Sequence, residues 1–325
     1  MKVTFTVYNI KLYLTIANCF VGNTLPIVLE KSNKLVVLVT GAGGFVGKNV
    51  VNYLSNEFNV VGLKHADLDI CNTEDVLSRI RTLKPDVVIN CSVYGGYHYQ
   101  KESKTIYDVN WLGAKNLLDA CIECKVPLFI QTGSSSEYGF KNEPMKEDMK
   151  TEPNSDYASA KAMATKYCYE KRDGPTKTAV LRLFSVYGYF EAAHRLMPQI
   201  ITHSIEKTEV KLGNPDSVRD FVFVDDVCAA FEAVIMKSGG FESGEVFNVG
   251  SGKEYKLKDV IEIYKRIDPG LKVSWNNDMG RDERDRAVCW QADISKIKRV
   301  LGWNPKYSLE EGLRLTTEWF IKQVR

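Results

Sequence analysis

The sequence predicts an α/β protein built on a doubly wound parallel sheet, with a smaller, discontinuous C-terminal lobe. Three observations carry that prediction. The apolar run 35–39, rich in Val and Leu, reads as a buried strand of a parallel sheet and breaks at once into a glycine cluster. Strand patterns then alternate with helix patterns along the first half of the chain, as in repeated βα units. Finally, a serine-bearing strand end at 133–136 is followed by Tyr157 and Lys161 at helical spacing.

The first unit is Thr40-Gly41-Ala42-Gly43-Gly44-Phe45-Val46-Gly47, leading into residues 48–54 with the apolar spacing of a helix. Strand, glycine turn and helix aim free backbone N–H groups and the positive end of a helix dipole at a phosphate. Gly41, Gly44 and Gly47 would serve the tight turn, the close approach of a pyrophosphate and helix–strand packing, which makes this a Rossmann-type dinucleotide turn. The spacing is GxxGxxG rather than GxGxxG, and the triplet gains its weight from standing directly after a strand and opening a helix.

The second strand, 59–64, ends on Lys64, followed by His65. NAD-binding units place an acid there to accept from the ribose hydroxyls. A cation suits the 2′-phosphate of NADP, so NADP(H) is favoured and NAD(H) stays possible; the bland alternative is a solvated lysine. Asp67-Leu68-Asp69-Ile70 follows without a long crossover. A helix over 73–83 is ended by Lys84-Pro85, and a strand over 86–90 opens into Cys91-Ser92-Val93-Tyr94-Gly95-Gly96, at the strand end where ligands collect in this architecture. A helix over 107–124 and a strand over 126–131 complete the pattern up to the serines.

Composition excludes several classes. The 325 residues are 44% hydrophobic and 26% charged, ordinary globular values. A net charge of +2 exerts no general pull toward nucleic acid or membrane, and neither is expected as a partner. The eight cysteines are scattered through apolar runs, and Cys121-x-x-Cys124 lacks the second pair a zinc site needs, so no metal is expected. Buried thiols in a reducing, cytoplasmic setting fit that usage. Residues 1–33 form an N-terminal extension of open role. The stretch 10–28 is fairly apolar and loosely like a signal peptide, but Asn18, Asn23 and Pro26 interrupt it and no A-x-A-like cleavage site appears. It is also marginal for a membrane span, which takes about 20 apolar residues.

Residues four apart on a helix share a face, so Tyr157 and Lys161 would point together toward the strand end carrying Ser134. A nearby ammonium favours a tyrosinate and lowers a phenol pKa that starts at about 10. Tyr157 could then trade a proton with a sugar hydroxyl or carbonyl while a nicotinamide trades the hydride. A serine hydroxyl would bond the same oxygen.

With these motifs in order, the chain from about Leu35 onward resembles the extended short-chain dehydrogenase/reductase superfamily: the nucleotide-sugar epimerases, dehydratases and reductases. The resemblance also rests on Asp69-Ile70, Val109-Asn110-Trp111-Leu112-Gly113, the run 181–188, Arg219-Asp220-Phe221 and its continuation to Asp226, Phe247-Asn248-Val249-Gly250 and Leu301-Gly302-Trp303-Asn304-Pro305. It implies Ser134, Tyr157 and Lys161 as the catalytic triad, with Lys161 also on the nicotinamide ribose. It implies cofactor contacts from Gly41, Gly44, Phe45, Val46, Gly47, Lys64, Asp69, Ile70, Cys91, Ser92 and Asn110, with Asp69 and Ile70 beside the adenine. Substrate contacts would come from Tyr94, Ser135, Ser136, Ser185, Arg195 and Arg219, with Arg219 aimed at the substrate pyrophosphate. The alternative for Arg219 is a salt bridge to Asp220 or a neighbour. A homodimer through the helices 109–124 and 157–171 is implied too.

Departures from the family narrow the reaction. Dehydratases carry an acid pair where this chain has Ser135 and Ser136, and elimination of water needs a proton donor and a base. Glu137 is one place late, and on a continuing strand its side chain would point to the opposite side. Dehydration is therefore disfavoured. Lys64, the short passage to Asp67, the Tyr94-Gly95-Gly96 loop and Arg195-Leu196-Met197-Pro198 lean toward reduction of a 4-keto-6-deoxyhexose nucleotide, like paratose and abequose synthase-type reductases. A 4-epimerase holding NAD is the alternative, and a non-catalytic NAD(P)-binding regulatory or RNA-binding module is the alternative from another class. Residues 34–188 with 219–250 would bind the dinucleotide, and 189–218 with 251–325 the nucleotide sugar. In that lobe 199–206, 257–266 and 309–323 read as helices and 209–212 as a strand, while 226–236 reads as a helix returning to the dinucleotide-binding sheet. One of Arg281, Arg284 and Arg286 could reach a phosphate, or all three could sit in a solvated mixed-charge loop.

Overall fold

The computed structural model describes residues 2–7, 10–15, 34–96, 99–276 and 287–324. Two compact units divide the chain, Met1–Leu35 and Val36–Arg325. In the first, Lys2–Val7 pairs antiparallel with Ile10–Thr15, with Lys2 opposite Thr15 and Val7 opposite Ile10.

The second unit is organised by six parallel strands: β1 Val36–Thr40, β2 Asn59–Leu63, β3 Val87–Asn90, β4 Leu128–Ser134, β5 Lys177–Leu183 and β6 Glu245–Val249. Their order across the sheet is β6-β5-β4-β3-β1-β2. The strand order reverses beside β1, so a crevice opens at the carboxyl ends of β1 and β3, the place where such sheets bind ligands. Alternate residues along each strand face opposite sides. Val37, Val39, Ile89, Ile130 and Leu181 pack on one face with α1 (Phe45–Leu54) and α5 (Val224–Met236), through Val50, Leu54, Val227 and Phe231. Leu38, Val88, Phe129 and Val180 pack on the other with α2 (Thr73–Leu83), α3 (Ala114–Glu123) and α4 (Asp156–Glu170), through Val76, Ile80, Leu117, Leu118, Cys121 and Cys168. Strands buried on both faces explain the unbroken apolar runs in the sequence.

Several boundaries differ from the sequence pattern for physical reasons. Helix α1 starts at Phe45 rather than 48, because Gly44 in extended conformation already serves as its cap. The expected helix over 107–124 is a short helix Ser103–Tyr107, a π-helical turn Asp108–Gly113 and α3. In that turn the Asn110 side chain donates to the Ile106 carbonyl at 2.8 Å, competing with the regular backbone ladder. Strand β4 runs on to Ser134 and then gives way to a 3₁₀ turn, Ser135–Tyr138. Glu137 therefore does not sit on a continuing strand. Cys121 is buried as expected, whereas Cys124 is half-buried, and both are free thiols.

Beyond β5, Ser185–Tyr187 pairs in parallel with Phe221–Phe223, and the smaller lobe adds helices Leu196–Glu206, Leu257–Lys265, Ser295–Leu301 and Leu309–Val324. Glu209–Leu212 pairs with Lys272–Trp275. No described helix is long and apolar enough to cross a membrane.

Candidate active site

The glycine turn closes tightly on itself. A Cβ on Gly47 would lie 2.3 Å from the Gly41 oxygen, so only glycine lets the first turn of α1 approach the end of β1 this closely. Gly41 has φ +68°, and a Cβ there would lie 2.5 Å from the Cys91 carbonyl group and 2.6 Å from the Ser92 nitrogen. The turn from β1 thus rests against the loop after β3, as the two sequence motifs imply. The Gly44 N–H donates to Gly41 O at 2.9 Å, and Phe45 and Val46 open the first turn of α1, where backbone N–H groups have no intrahelical partner.

Lys64 follows β2 directly and is exposed. Its side-chain carbons lie 3.4 to 3.7 Å from where a Gly43 Cβ would be, so the stem packs beside the glycine turn at Gly43. The nearby acid, Asp67, accepts from the Lys64 N–H at 2.9 Å and is folded into its own turn rather than offered at the strand end. Asp69 is exposed and accepts from Cys71 N–H, while Ile70 is buried, its side chain 2.6 Å from a Cβ built on Gly113.

The second half of the site is assembled by β4 and α4. Ser155 caps α4 by accepting from the Ala158 N–H at 3.2 Å, which fixes where the helix begins and so which residues face the sheet. Lys161 is 2% exposed, donates from Nζ to the Thr132 carbonyl at 3.0 Å and stands 6.0 Å from the centre of the Tyr157 ring. Burial pulls its ammonium pKa down to about 8, against the opposing pull of Glu137 and then Cys91. Thr132 in turn donates to Cys91 Sγ at 3.6 Å, tying β4 to the loop beside the glycine turn. Tyr157 also borders the Tyr94–Gly95 loop, since a Cβ on Gly95 would meet its ring at 3.5 Å. Asn110 holds that loop by donating to the Tyr94 carbonyl at 2.5 Å, and its own Oδ1 is buried without a partner.

Ser134 ends β4, with its hydroxyl accepting from Ser136 N–H at 3.2 Å. Ser135 accepts from the Trp290 indole N–H at 3.2 Å, and the Arg219 guanidinium stands 5.9 Å from the Trp290 ring centre. Arg219 also donates to Val218 O at 2.6 Å. Asp220, one of the ion-pair partners weighed for Arg219 beside its other neighbours, is held by backbone and serine donors. Asp220 is fully buried and accepts from Ser251, Gly252 and Ala292 at 2.6 to 3.0 Å, pinning the loops on either side of the lobe.

Ser185 donates its N–H to Asp220 O at 2.9 Å. Arg195 donates from Nε to Glu191 at 3.3 Å, and burial raises the Glu191 carboxyl to about 7. No described contact joins Arg195 to Ser134, Tyr157 or Lys161. Arg281, Arg284 and Arg286 lie outside the described residues.

Ser134, Tyr157 and Lys161, the glycine turn, Cys91, Ser92 and Lys64 are therefore gathered at one end of the sheet. The close-packed glycines, the helix N-terminus and the orphaned Asn110 oxygen in the same crevice fit a bound dinucleotide. Sequence reasoning missed Trp290 and Thr132, and it quoted Arg182 and Asn248 only as motif residues, without a role in the site. Trp290 stands 155 positions from the serine it bonds, and nothing in its local pattern announces that contact.

Residues 37–250 match the model of the NAD dependent epimerase/dehydratase family. The chain belongs to that family. It is an enzyme of the NAD-dependent nucleotide-sugar epimerase, dehydratase and reductase group. It is 29% identical to UDP-glucuronate 4-epimerase of Thermodesulfobacterium geofontis, over 88% of this chain and 96% of that one. It is 27% identical to GDP-L-fucose synthase 1 of Arabidopsis thaliana, over 94% of this chain and 98% of that one. The solved structure of UDP-glucuronic acid 4-epimerase from Bacillus cereus, in complex with UDP-glucuronic acid and NAD, superposes with a TM-score of 0.79 at 25% identity, covering 90% of this chain and 100% of that one. Ser135 and Ser136, which follow Ser134 in the 3₁₀ turn, are buried. The carboxylate that follows them, Glu137, is wholly buried and accepts from the Ser134 N–H and from Arg182 Nε.

Proposed function

We propose that this family member is an NADPH-dependent reductase of a nucleotide-activated 4-keto-6-deoxyhexose. The observation that carries the reading is Lys64: at the end of β2 its side-chain stem packs over Gly43 of the glycine turn, and the first acid after it, Asp67, accepts from the Lys64 N–H. An ammonium there favours a 2′-phosphate, and a dinucleotide carrying one is the usual choice for biosynthetic reduction. The second support is the serine pair at 135 and 136, which offers neither proton donor nor base for elimination.

In this reading the bound reduced dinucleotide supplies a hydride to carbon 4 of the sugar. Tyr157 Oη gives the carbonyl oxygen its proton, and Ser134 Oγ donates a hydrogen bond to that same oxygen. The Ser134 hydroxyl is suited to this, because its acceptor side is already engaged by the Ser136 N–H. Lys161 holds a positive charge beside Tyr157 and the nicotinamide ribose. Gly41, Gly44, Phe45, Val46 and Gly47 take the pyrophosphate, Asp69 and Ile70 the adenosine end, and Cys91, Ser92 and Asn110 the nicotinamide side. Tyr94, Ser135, Ser136, Ser185, Arg195 and Arg219 meet the nucleotide sugar, with Trp290 orienting Ser135. Residues 34–188 and 219–250 thus serve the dinucleotide, and 189–218 with 251–325 the sugar. The exposed Leu112 and Met163, on and beside α3 and α4, support a homodimer through those helices.

A 4-epimerase is the second reading, favoured by the resemblance to 4-epimerases, one of them solved with NAD. Acid extraction of the purified protein separates the two. The reductase releases no stoichiometric nicotinamide and prefers added NADPH; the epimerase yields close to one NAD per chain.

A further inference from the structure

Behind the serine-bearing strand end lies a buried polar group that neither the family resemblance nor the proposed reaction uses. Glu137 is 0% exposed. One carboxylate oxygen accepts from the Ser134 backbone N–H at 2.8 Å, and the other accepts from Arg182 Nε on β5 at 2.8 Å. Arg182 is itself 4% exposed and lies 4.5 Å from the centre of the Tyr138 ring. Tyr138 Oη donates to Asn248 Oδ1 at 2.7 Å, and Asn248 donates onward to the Met145 carbonyl at 2.8 Å. Room for the carboxylate is made by Gly133: a Cβ there would lie 2.8 Å from Glu137 Oε1.

We propose that Glu137 is a positioning residue of this active site. Together with Arg182 it fixes Ser134 from beneath, and it supplies the buried negative charge that faces the Lys161 ammonium. The geometry makes the first half of this claim. Ser134 is gripped twice within one 3₁₀ turn, at its hydroxyl by the Ser136 N–H and at its own N–H by Glu137, so its Cα–Cβ direction follows the placement of that carboxylate. A buried ion pair is poor evidence for stability, since its desolvation offsets its Coulomb attraction, and Arg182 Nη1 is buried without a partner; what the pair does is tie Glu137, and through it the Ser134 N–H, to β5.

The second half follows from what surrounds Lys161. It is buried and donates to the Thr132 carbonyl, and Glu137 accepts from the N–H of Ser134 two residues further along β4, with only Gly133 between, so the two side chains are tied to the same strand end. In keeping with that placement, Glu137 is the foremost group opposing the loss of the Lys161 proton, ahead of the Cys91 thiol. The other titratable and charged groups around Glu137 are Arg182, Tyr138 and Cys168, with Glu147 acting on Tyr138. None of these replaces it as an anion near Lys161.

The turnover part of the test rests on the reductase reading, so a substrate-free measurement accompanies it. Reduced-nicotinamide fluorescence gives the dinucleotide Kd against pH for the wild type, for Glu137→Gln and for the charge-balanced pair Glu137→Gln with Arg182→Gln. The wild type is expected to bind more weakly as pH rises through about 8. In both variants that weakening should begin at least half a pH unit lower, with Kd at pH 6.5 within about threefold of wild type. Steady-state turnover should show kcat down about tenfold or more, with the sugar KM within about threefold. Should Glu137→Gln alone fail to fold, the charge-balanced variant carries the same readings. An unshifted alkaline limb and a kcat within twofold of wild type, in either folded variant, would overturn the proposal. A wild type with no 4-keto-sugar turnover but the expected limb shift would refute the reductase reading and leave this one standing.

Discussion

Reversing the charge at Lys64 puts the cofactor assignment at risk in a measurable way. In Lys64→Glu, a 2′-phosphate that faced an ammonium would face a carboxylate instead. At roughly 5 Å in water, one unit charge against a phosphate of about −1.5 to −2 is worth about 1.2 to 1.7 kcal/mol, and reversing the sign doubles the change to about 3 kcal/mol. Because Lys64 is exposed, salt screens this interaction. With a Debye length of about 8 Å at physiological ionic strength, roughly half of it survives. NADPH affinity should therefore fall about tenfold in 0.15 M salt and about a hundredfold at low salt, because each 1.4 kcal/mol is a factor of about ten. NADH affinity should hold or improve, since the new carboxylate can accept from the free ribose hydroxyls. Fluorescence titration of both reduced dinucleotides at two ionic strengths reads all four constants. Equal, salt-independent losses for NADPH and NADH would refute the reasoning, because a general disturbance of the turn is blind to the 2′-phosphate.

Other substitutions and conditions have equally definite outcomes. Gly47→Ala forces a methyl against the Gly41 oxygen, and overpacking of about 1 to 3 kcal/mol should weaken dinucleotide binding roughly 5- to 100-fold, while Gly43→Ala, which meets only the Lys64 stem, should change it little; calorimetric titration compares them. Activity should fall as pH rises through about 8, where Lys161 loses its proton. At Lys161 itself the linkage to stability has the other sign: between about 8 and the ordinary 10.5 the unfolded chain holds a proton there that the folded one does not. That contribution works against the loss from Cys71, Cys91 and Cys289, whose thiols burial raises, so the urea midpoint should fall less steeply across that window in the wild type than in Lys161→Met. Trp290→Phe keeps the ring and removes the N–H that Ser135 accepts, a loss of about 1 kcal/mol, so the sugar KM should rise about fivefold while the dinucleotide Kd stays put. Light scattering should give twice the chain mass, and Met163→Glu should halve it; a monomeric wild type would exclude the helix-pair dimer.

How much of this was legible in the sequence depends on how local each feature is. The glycine turn, the strand runs and the Tyr157–Lys161 spacing each lie within a dozen residues, where backbone periodicity alone decides direction. Their meeting at one end of the sheet then followed from topology, because every parallel strand delivers its carboxyl end to the same edge. Glu137 shows where local reading fails. Its direction depends on where β4 stops, and β4 stops at Ser134 because a capping turn with Glu137 and Ser136 competes with further pairing. The π turn at Asp108–Gly113 was hidden for a similar reason, since an asparagine side chain rewrites the ladder without disturbing the apolar spacing. The Trp290–Ser135 contact and the Asp220 anchor join segments dozens of residues apart, and no window of sequence contains both partners.

Isotope transfer decides what the assembled site does. The purified protein, supplied with reduced dinucleotide carrying deuterium on the transferable position of nicotinamide carbon 4 and with a nucleotide-linked 4-keto-6-deoxyhexose, should place one deuterium on sugar carbon 4 for each NADPH oxidised, with Tyr157→Phe cutting the rate at least a hundredfold. Interconversion of two hexose epimers with no net oxidation of the added dinucleotide, and no deuterium taken into the sugar, would contradict the reductase assignment.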